Sequence, residues 1–193
     1  METSFYDIRL LTAPGHVFGP RPATEALVDA ALDLIGDRPL RVADVGTGSG
    51  AVAVALALHA LHAEIWAVDR SEAAVRLAGV NARLHHVDDR VHVVQGDLLD
   101  ALEGSFDVIV ANLPYLPDRQ RDDAAYAAEP AGAVFAPGDG LDPYRQLLRE
   151  ARDGKLVDGG HVLVQLHRRV LQAGRPELDE LQARLGELLP AAA

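Results

Sequence analysis

The residues whose types and order best indicate chemistry lie in residues 106–117, with the sequence FDVIVANLPYLP. Apolar and β-branched residues predict a buried strand, which stops abruptly at Asn112-Leu113-Pro114-Tyr115. The Asn112 side-chain oxygen and the Leu113 carbonyl oxygen are acceptors that can hold the N–H groups of a planar nitrogen and orient its lone pair towards an electrophile. Pro114 restricts Leu113 to extended conformations, and Tyr115 can stack on a flat group. The alternative is a plain turn that ends a strand.

A glycine-rich segment, GTGSG at residues 46–50, follows another predicted strand. Glycines between a strand and a helix let the backbone turn tightly and approach a ligand closely. Asp69 ends the next predicted strand about 20 residues later, where an acid can accept from both ribose hydroxyls, and Asp97 ends the third. Because the carboxyl ends of parallel strands share one edge, the three features together predict a site for a nucleoside-containing ligand. The pattern Gly-x-Gly-x-x-Ala, which ends on the small residue Ala51, also fits a dinucleotide-binding fold. However, nothing in the fourth predicted strand would then support hydride transfer.

Hydrophobic periodicity predicts the elements that position these residues. Strands are predicted at residues 40–46, 64–69, 91–97, 106–112 and 161–166. Helices are predicted at residues 51–62, 72–84 with Ser71 as its cap, 143–156, and 176–189 with Pro176 at its first position. Apolar strands that alternate with helices predict an α/β fold, a doubly wound, mostly parallel sheet covered on both faces. The loop at residues 117–140 exceeds a plain connection, which is typical of functional or disordered loops.

Composition narrows the classes of function. The 193 residues predict one domain, and the formal net charge of −11 argues against sequence-independent binding of nucleic acid. Cysteine is absent, and the histidines lack the spacing of a metal site, so no metal is expected. The N-terminus does not read as a signal peptide, and no apolar run reaches the ~18 residues of a membrane helix, so we expect a cytoplasmic protein without membrane contact.

The Gly-x-Gly-x-Gly segment after VAD, with acids ending the second and third strands, resembles the class I S-adenosylmethionine-dependent methyltransferases. In that family the glycine loop packs along the methionine part of the cofactor. The acid that matches Asp69 holds the ribose, and the position that matches Asp97 reads the adenine amine, with Leu98 beside it lining the adenine slot. The resemblance therefore implies S-adenosylmethionine as methyl donor and S-adenosylhomocysteine as product.

Asn-Leu-Pro-Tyr resembles the Asn-Pro-Pro-Tyr motif of amino-methyltransferases that act on planar nitrogens. More specifically, the chain resembles the release-factor glutamine methyltransferases over residues 17–165. GPRPATEALV at residues 19–28 matches their Pro-Arg-Pro-x-Thr-Glu segment, and AEPAGAVFAPGDGL at residues 128–141 matches their Glu-Pro…Gly-x-Asp-Gly-Leu loop. The segment that leads into their fifth strand is matched by residues 155–165, with the sequence KLVDGGHVLVQ.

This resemblance implies a set of site residues. The catalytic residues would be Asn112, Leu113, Pro114 and Tyr115, and the substrate contacts Asn112, Tyr115, Glu129 and Pro130. The cofactor contacts would be Asp44, Gly46, Thr47, Gly48, Ser49, Gly50, Asp69, Arg70, Asp97, Leu98, Asn112, Phe18, Arg21 and Thr24. The last three belong to the segment that covers the cofactor in the family.

The chain departs from the family pattern in three places. Leu113 replaces the usual first proline of the motif. This replacement keeps the backbone carbonyl group at position 113 but makes the backbone there less rigid. Only residues 1–39 precede the first predicted strand of the core, so the family's helical N-terminal domain is not expected. The sixth and seventh strands are not found, and a five-stranded sheet of order 3-2-1-4-5 needs a cover for its edge. The C-terminal helix or a homodimer would provide it.

The domain prediction is a single methyltransferase domain over residues 1–193. Residues 1–39 would cover the cofactor site, residues 40–166 would form the core, and residues 167–193 a helical C-terminal segment. The predicted function is methyl transfer to a planar nitrogen, namely a glutamine side-chain amide in a protein substrate. Two alternatives stay open, an adenine-amine methyltransferase acting on RNA or DNA and a non-catalytic binding module that kept the cofactor pocket.

Overall fold

The computed structural model describes residues 1–120 and 126–166. In chain order its strands and helices are β1 (Glu2–Phe5), β2 (Ile8–Leu11), α1 (Glu25–Ile35), β3 (Arg41–Val45), α2 (Ala51–His59), β4 (Glu64–Asp69), α3 (Glu72–Leu84), β5 (Val91–Gln95), β6 (Phe106–Ala111), β7 (Leu116–Pro117), α4 (Ala131–Val134), β8 (Phe135–Ala136), α5 (Asp142–Glu150) and β9 (Leu156–Val164). Five of the strands form a parallel sheet of order β5-β4-β3-β6-β9, which confirms the predicted α/β architecture and the order 3-2-1-4-5.

The two faces of this sheet bury two separate apolar clusters. Successive residues of β6 alternate between them: Val108 and Val110 face one cluster, and Ile109 and Ala111 face the other. Helices α1 and α2 cover the first face, and α5 covers the second. The continuous apolar strands seen in the sequence follow from this burial on both sides.

Two helix ends differ from the prediction. Helix α2 ends at His59 rather than residue 62. Helix α5 ends at Glu150 rather than residue 156, because Gly154 adopts a left-handed conformation (φ 109°) inside the π-helical turn Ala151–Lys155. The fifth strand of the sheet therefore starts at Leu156 rather than residue 161. Gly159 and Gly160, which fall between the predicted helix and the predicted strand, lie inside β9 where its register with β6 shifts.

The N-terminal segment contains a β-hairpin that the sequence analysis did not predict. Strands β1 and β2 pair antiparallel around Tyr6 and Asp7, whose φ angles of 49° and 59° are those of a tight hairpin turn. Asn81 of α3 ties the hairpin to the core. Its side chain is fully buried, exchanges two hydrogen bonds with the Leu11 backbone (2.9 and 3.0 Å) and donates to the Ser49 carbonyl (2.8 Å).

The predicted C-terminal helix at residues 176–189 and the proposed cover for the sheet edge lie outside the described residues. Across residues 1–120 and 126–166, no helix combines the length and apolar character that crossing a bilayer requires. The same ranges contain no group of three or more His, Asp or Glu side chains arranged to hold a metal ion.

Asn81→Ala should lower the free energy of unfolding by about 3 kcal/mol, because it leaves the N–H and carbonyl groups of Leu11, which are partly buried, and the buried carbonyl group of Ser49 without this partner. Urea unfolding measures this loss. Gln95→Ala removes an exposed carboxamide at the end of β5 and is the control, with an expected change within about 0.5 kcal/mol. Equal effects of the two substitutions would contradict the bridging role of Asn81.

Candidate active site

The carboxyl ends of the central strands open into a cavity of about 890 Å³. Val45 of β3 is paired with Ala111 of β6, so the glycine loop (residues 46–50) and the NLPY segment (residues 112–115) leave the sheet side by side. A Cβ atom added to Gly46 would lie 2.8 Å from the Leu113 Cδ2 atom. The two motifs identified in the sequence are therefore in direct contact.

The structure brings most of the predicted site residues to the wall of this one cavity. Those on the wall are Phe18, Arg21, Thr24, Gly46, Thr47, Gly48, Ser49, Asp69, Arg70, Asp97, Leu98, Asn112, Leu113, Pro114, Tyr115 and Pro130. Three predicted residues, Asp44, Gly50 and Glu129, do not line it. Asp44 lies behind the glycine loop, and Gly50, the last residue of that loop, packs against Ala78 of α3. Glu129 pairs with Arg21.

Asp69 is held in a fixed orientation at the end of β4. One carboxylate oxygen accepts a hydrogen bond from the Gly48 N–H (2.9 Å), and the other accepts from the Ser71 N–H (2.9 Å). Each carboxylate oxygen can accept more than one hydrogen bond, so both retain capacity for donors from the cavity. An acid placed in this way suits a pair of neighbouring hydroxyl groups.

Asp44 supports the glycine loop from below. A single carboxylate oxygen accepts from the Thr47 hydroxyl (2.6 Å) and from the Ala53 N–H in the first turn of α2 (3.2 Å). Burial raises the pKa of Asp44 from its ordinary 3.8 to about 6, against the opposing effect of these two hydrogen bonds. Asp44 thus links the loop to the helix that follows it.

Asp97 and Leu98 follow β5 at the far end of the same cavity. Asp97 is exposed, and no described residue donates to it. Leu98 is buried with φ at 49°, in the left-handed region that a leucine rarely adopts. Such a conformation persists only where the surroundings impose it, and it often marks a functional site.

The carboxamide nitrogen of Asn112 donates a hydrogen bond within the described structure, whereas the carboxamide oxygen is available as an acceptor. Its Nδ2 donates to the hydroxyl of Thr24, a buried residue at the end of the 3-10 helix Pro22–Thr24 (3.3 Å). No described residue donates to Oδ1. The hydrogen bond to Thr24 therefore sets the amide orientation and leaves the oxygen as the free acceptor.

The sequence analysis missed Tyr144 of α5, which supports the NLPY segment from behind. Its hydroxyl lies 3.0 Å from both the nitrogen and the oxygen of Leu113 and 2.8 Å from the carbonyl oxygen of Gln165. The only signal in the sequence was an apolar stripe of Tyr144, Leu147 and Ala151 on the predicted helix, which is typical of any core helix. Gln165, also missed, lines the cavity, and its buried Oε1 has no hydrogen-bond partner among the described residues.

Two arginines join the rim of the cavity to the described part of the loop at residues 117–140. Arg21 forms an ion pair with Glu129, and its guanidinium lies 5.0 Å from the centre of the Phe18 ring. Arg70 donates to the carbonyl oxygen of Gly132 (2.6 Å). The N-terminal segment and the loop are thus connected across the cavity mouth.

Among the described residues, the wall of the cavity is neutral to acidic. Apart from His16, the charged residues on its described wall are Arg21, Arg70, Asp69, Asp97 and Asp142. Both arginines already have partners, as described above. The basic run at residues 167–169 lies outside the described residues.

A family model described as "Methyltransferase small domain" matches residues 17–130. The release factor glutamine methyltransferase of Coxiella burnetii (strain RSA 493 / Nine Mile phase I) is 38% identical over 166 residues, which cover 85% of this chain and 59% of the relative. That of Deinococcus radiodurans is 43% identical over 160 residues, 81% of this chain and 56% of the relative. The chain thus spans less than two thirds of the length of these relatives.

Among solved structures, a ribosomal protein L11 methylase from Lactobacillus delbrueckii subsp. bulgaricus superposes with a TM-score of 0.59. It is 27% identical and covers 91% of this chain, and the match covers 72% of that protein. This likeness agrees with the predicted class I methyltransferase fold.

The buried carboxylate of Asp44 generates a prediction about pH. Because its pKa is higher in the folded state (about 6) than in an unfolded chain (3.8), folding takes up a proton between these values. The contribution of Asp44 to stability therefore decreases as pH rises from about 4 to about 6. Asn cannot titrate, so the free energy of unfolding of Asp44→Asn should rise relative to that of the unsubstituted protein by up to roughly 3 kcal/mol across this window.

Urea unfolding of both proteins at several pH values between about 4 and 7 measures this difference. Acid effects of the other carboxylates are common to both proteins and cancel. A difference that stays constant or falls with rising pH would show that the buried carboxylate does not titrate in this way.

Proposed function

We propose a function from the premise that this chain belongs to the methyltransferase small domain family, whose model matches residues 17–130. The protein transfers a methyl group from S-adenosylmethionine to a planar nitrogen, which is the side-chain amide of a glutamine in a protein. One observation carries the proposal: the Asn112 carboxamide, with its oxygen free to accept, lies on the wall of the cavity that the glycine loop also lines.

The residues present fit S-adenosylmethionine. The glycine loop lets the backbone approach the ligand, and Asp69 has acceptor capacity for the two ribose hydroxyls. The exposed carboxylate of Asp97 suits the adenine amine, and Leu98 offers an apolar wall for the ring. Asp44 and Gly50 act indirectly in this proposal, since they shape the glycine loop without lining the cavity.

The cofactor supplies an electrophilic methyl group on a sulfonium centre. The protein's task is to present the acceptor nitrogen in line with that methyl group. Asn112 Oδ1 and the Leu113 carbonyl oxygen accept the two amide N–H groups of the substrate, which fixes the plane of the amide and stabilises positive charge developing on its nitrogen. Tyr115 packs on the flat amide, and the displaced proton leaves to solvent after transfer.

The charge of the cavity favours an uncharged amide over a polyanion. A nucleic-acid substrate requires Lys and Arg side chains that are free to replace counterions, and both arginines on the described wall already have partners. The relatives point the same way, because the curated ones are named for release factors and the structural one for a ribosomal protein. A protein substrate in the cytoplasm, where translation takes place, agrees with these names.

The test is transfer of a labelled methyl group from S-adenosylmethionine into a peptide-chain release factor, with total RNA as the competing acceptor. We expect label in the protein, on a glutamine. Label in RNA would replace the amide proposal by the adenine alternative. S-adenosylhomocysteine binding without any transfer would show a non-catalytic binding module.

Asn112→Ala should lower kcat by roughly 100-fold and change the Kd for S-adenosylhomocysteine less than about twofold, because the main role of the carboxamide in this proposal is to orient the acceptor nitrogen. Thr24→Val, which frees the amide orientation but keeps the carboxamide, should lower kcat by a smaller factor, about tenfold. Thr3→Val, in the hairpin away from the cavity, is the matched control. Unchanged turnover of Asn112→Ala would remove Asn112 from the mechanism.

Arg21→Gln should raise the Kd for S-adenosylhomocysteine by about three- to tenfold, since it removes the ion pair with Glu129 that connects the two sides of the cavity mouth. Calorimetric titration measures the effect. Arg9→Gln is the control, because Arg9 also pairs with a glutamate, Glu2, but lies in the hairpin. If both variants bind like the unsubstituted protein, the Arg21 bridge has no role in holding the ligand.

A further inference from the structure

Leu113 has a backbone N–H that a proline at this position would lack. In the structure this N–H donates to the hydroxyl of Tyr144 at 3.0 Å, in a buried contact. The carbonyl oxygen of Leu113 lies 3.0 Å from the same hydroxyl. One phenol thus contacts both polar atoms of a residue that stands in the middle of the NLPY segment.

The Tyr144 hydroxyl has one hydrogen and two possible acceptors. The carbonyl oxygen of Gln165, just beyond β9, lies at 2.8 Å, and that of Leu113 lies at 3.0 Å. The shorter contact favours donation to Gln165, which leaves the lone pairs of the Leu113 carbonyl for another donor. Tyr144 is 1% exposed, and burial raises the pKa of its hydroxyl, so it stays protonated and keeps the ability to donate.

A second contact from the same region reinforces the arrangement. Gly140, just before α5, has φ at 92°, and a Cβ added there would lie 2.1 Å from the carbonyl oxygen of Tyr115. The backbone on both sides of Pro114 is therefore supported by α5 and by the turn that precedes it. No other described side chain donates to or accepts from the Leu113 backbone.

We propose that Tyr144 is a positioning residue for methyl transfer: by linking the Leu113 peptide to the end of β9, its hydroxyl supplies the rigidity that a proline ring would give at position 113. The inference rests on the proposed function, because the group that it positions is the Leu113 carbonyl, the second acceptor for the substrate amide. Tyr144 is buried and does not line the cavity. Its effect therefore falls on the geometry of the acceptor nitrogen rather than on cofactor affinity.

A double-mutant cycle tests this inference, with kcat, KM and the Kd for S-adenosylhomocysteine measured for Tyr144→Phe, Leu113→Pro and the double variant. Tyr144→Phe should lower kcat about tenfold with an unchanged Kd, since a small misplacement of a positioning group is costly. In the Leu113→Pro background, Tyr144→Phe should lower kcat by less than about threefold. Residue 113 then has no N–H for the phenol to hold, and the proline ring fixes its φ angle. Tyr6→Phe, which removes another hydrogen-bonded phenol, is the control and should leave kcat unchanged.

The inference would be overturned if Tyr144→Phe lowered kcat by the same factor in both backgrounds. It would also be overturned if Tyr144→Phe lowered kcat no more than Tyr6→Phe does. Amide hydrogen exchange in the unsubstituted protein is a second test, which does not depend on whether the variants fold. The Leu113 N–H should exchange as slowly as amides of the central strands, and exchange at the rate of an exposed loop would overturn the proposal. Absence of any methyl transfer by the unsubstituted protein would instead refute the proposed function, and the exchange result would still decide whether Tyr144 holds the Leu113 peptide.

Discussion

The parallel pairing of β3 with β6 is the constraint on which the site depends. Val45 and Ala111 are partners in the ladder, so the residues that follow them, Gly46 and Asn112, leave the sheet at the same level. The contact is close enough that a side chain at Gly46 would meet Leu113. The glycine loop and the NLPY segment therefore lie against one another without any further element between them.

Buried polar groups convert this placement into defined loop geometry. Asp44 holds the glycine loop to α2, Asn81 links that loop to the N-terminal hairpin, and Tyr144 holds the NLPY segment to the end of β9. Each side chain binds backbone groups, and each is buried where an unpaired polar atom would be costly. The apolar sheet determines where the loops start. The buried polar side chains determine the conformations of the loops, because other conformations would break these hydrogen bonds.

The electrostatics of the cavity agree with the chemistry proposed for it. A protein with a net charge of −11 has its cavity arginines engaged with Glu129 and with the Gly132 carbonyl. Glu129 thus neutralises Arg21, and the Gly132 carbonyl occupies a donor of Arg70, so neither side chain is fully available to a phosphate backbone. What remains at the NLPY segment is a set of neutral acceptors and aromatic surface, which suits an amide.

The sequence by itself determined the five strands, their parallel sheet and the two motifs that meet in the cavity, because strand periodicity and glycine or proline positions act through the local backbone. The order of the strands came from the resemblance to the class I methyltransferases and not from any local pattern. It did not determine the end of α5, where a left-handed Gly154 outweighed a periodic apolar pattern, or the N-terminal hairpin, which is held by a contact between Leu11 and Asn81 across the fold. Only the tertiary structure revealed Tyr144 as the partner of Leu113. These two residues lie 31 positions apart, and a hydrogen bond over that separation leaves no periodic signal in the chain, since it exists only after the sheet and α5 have packed together.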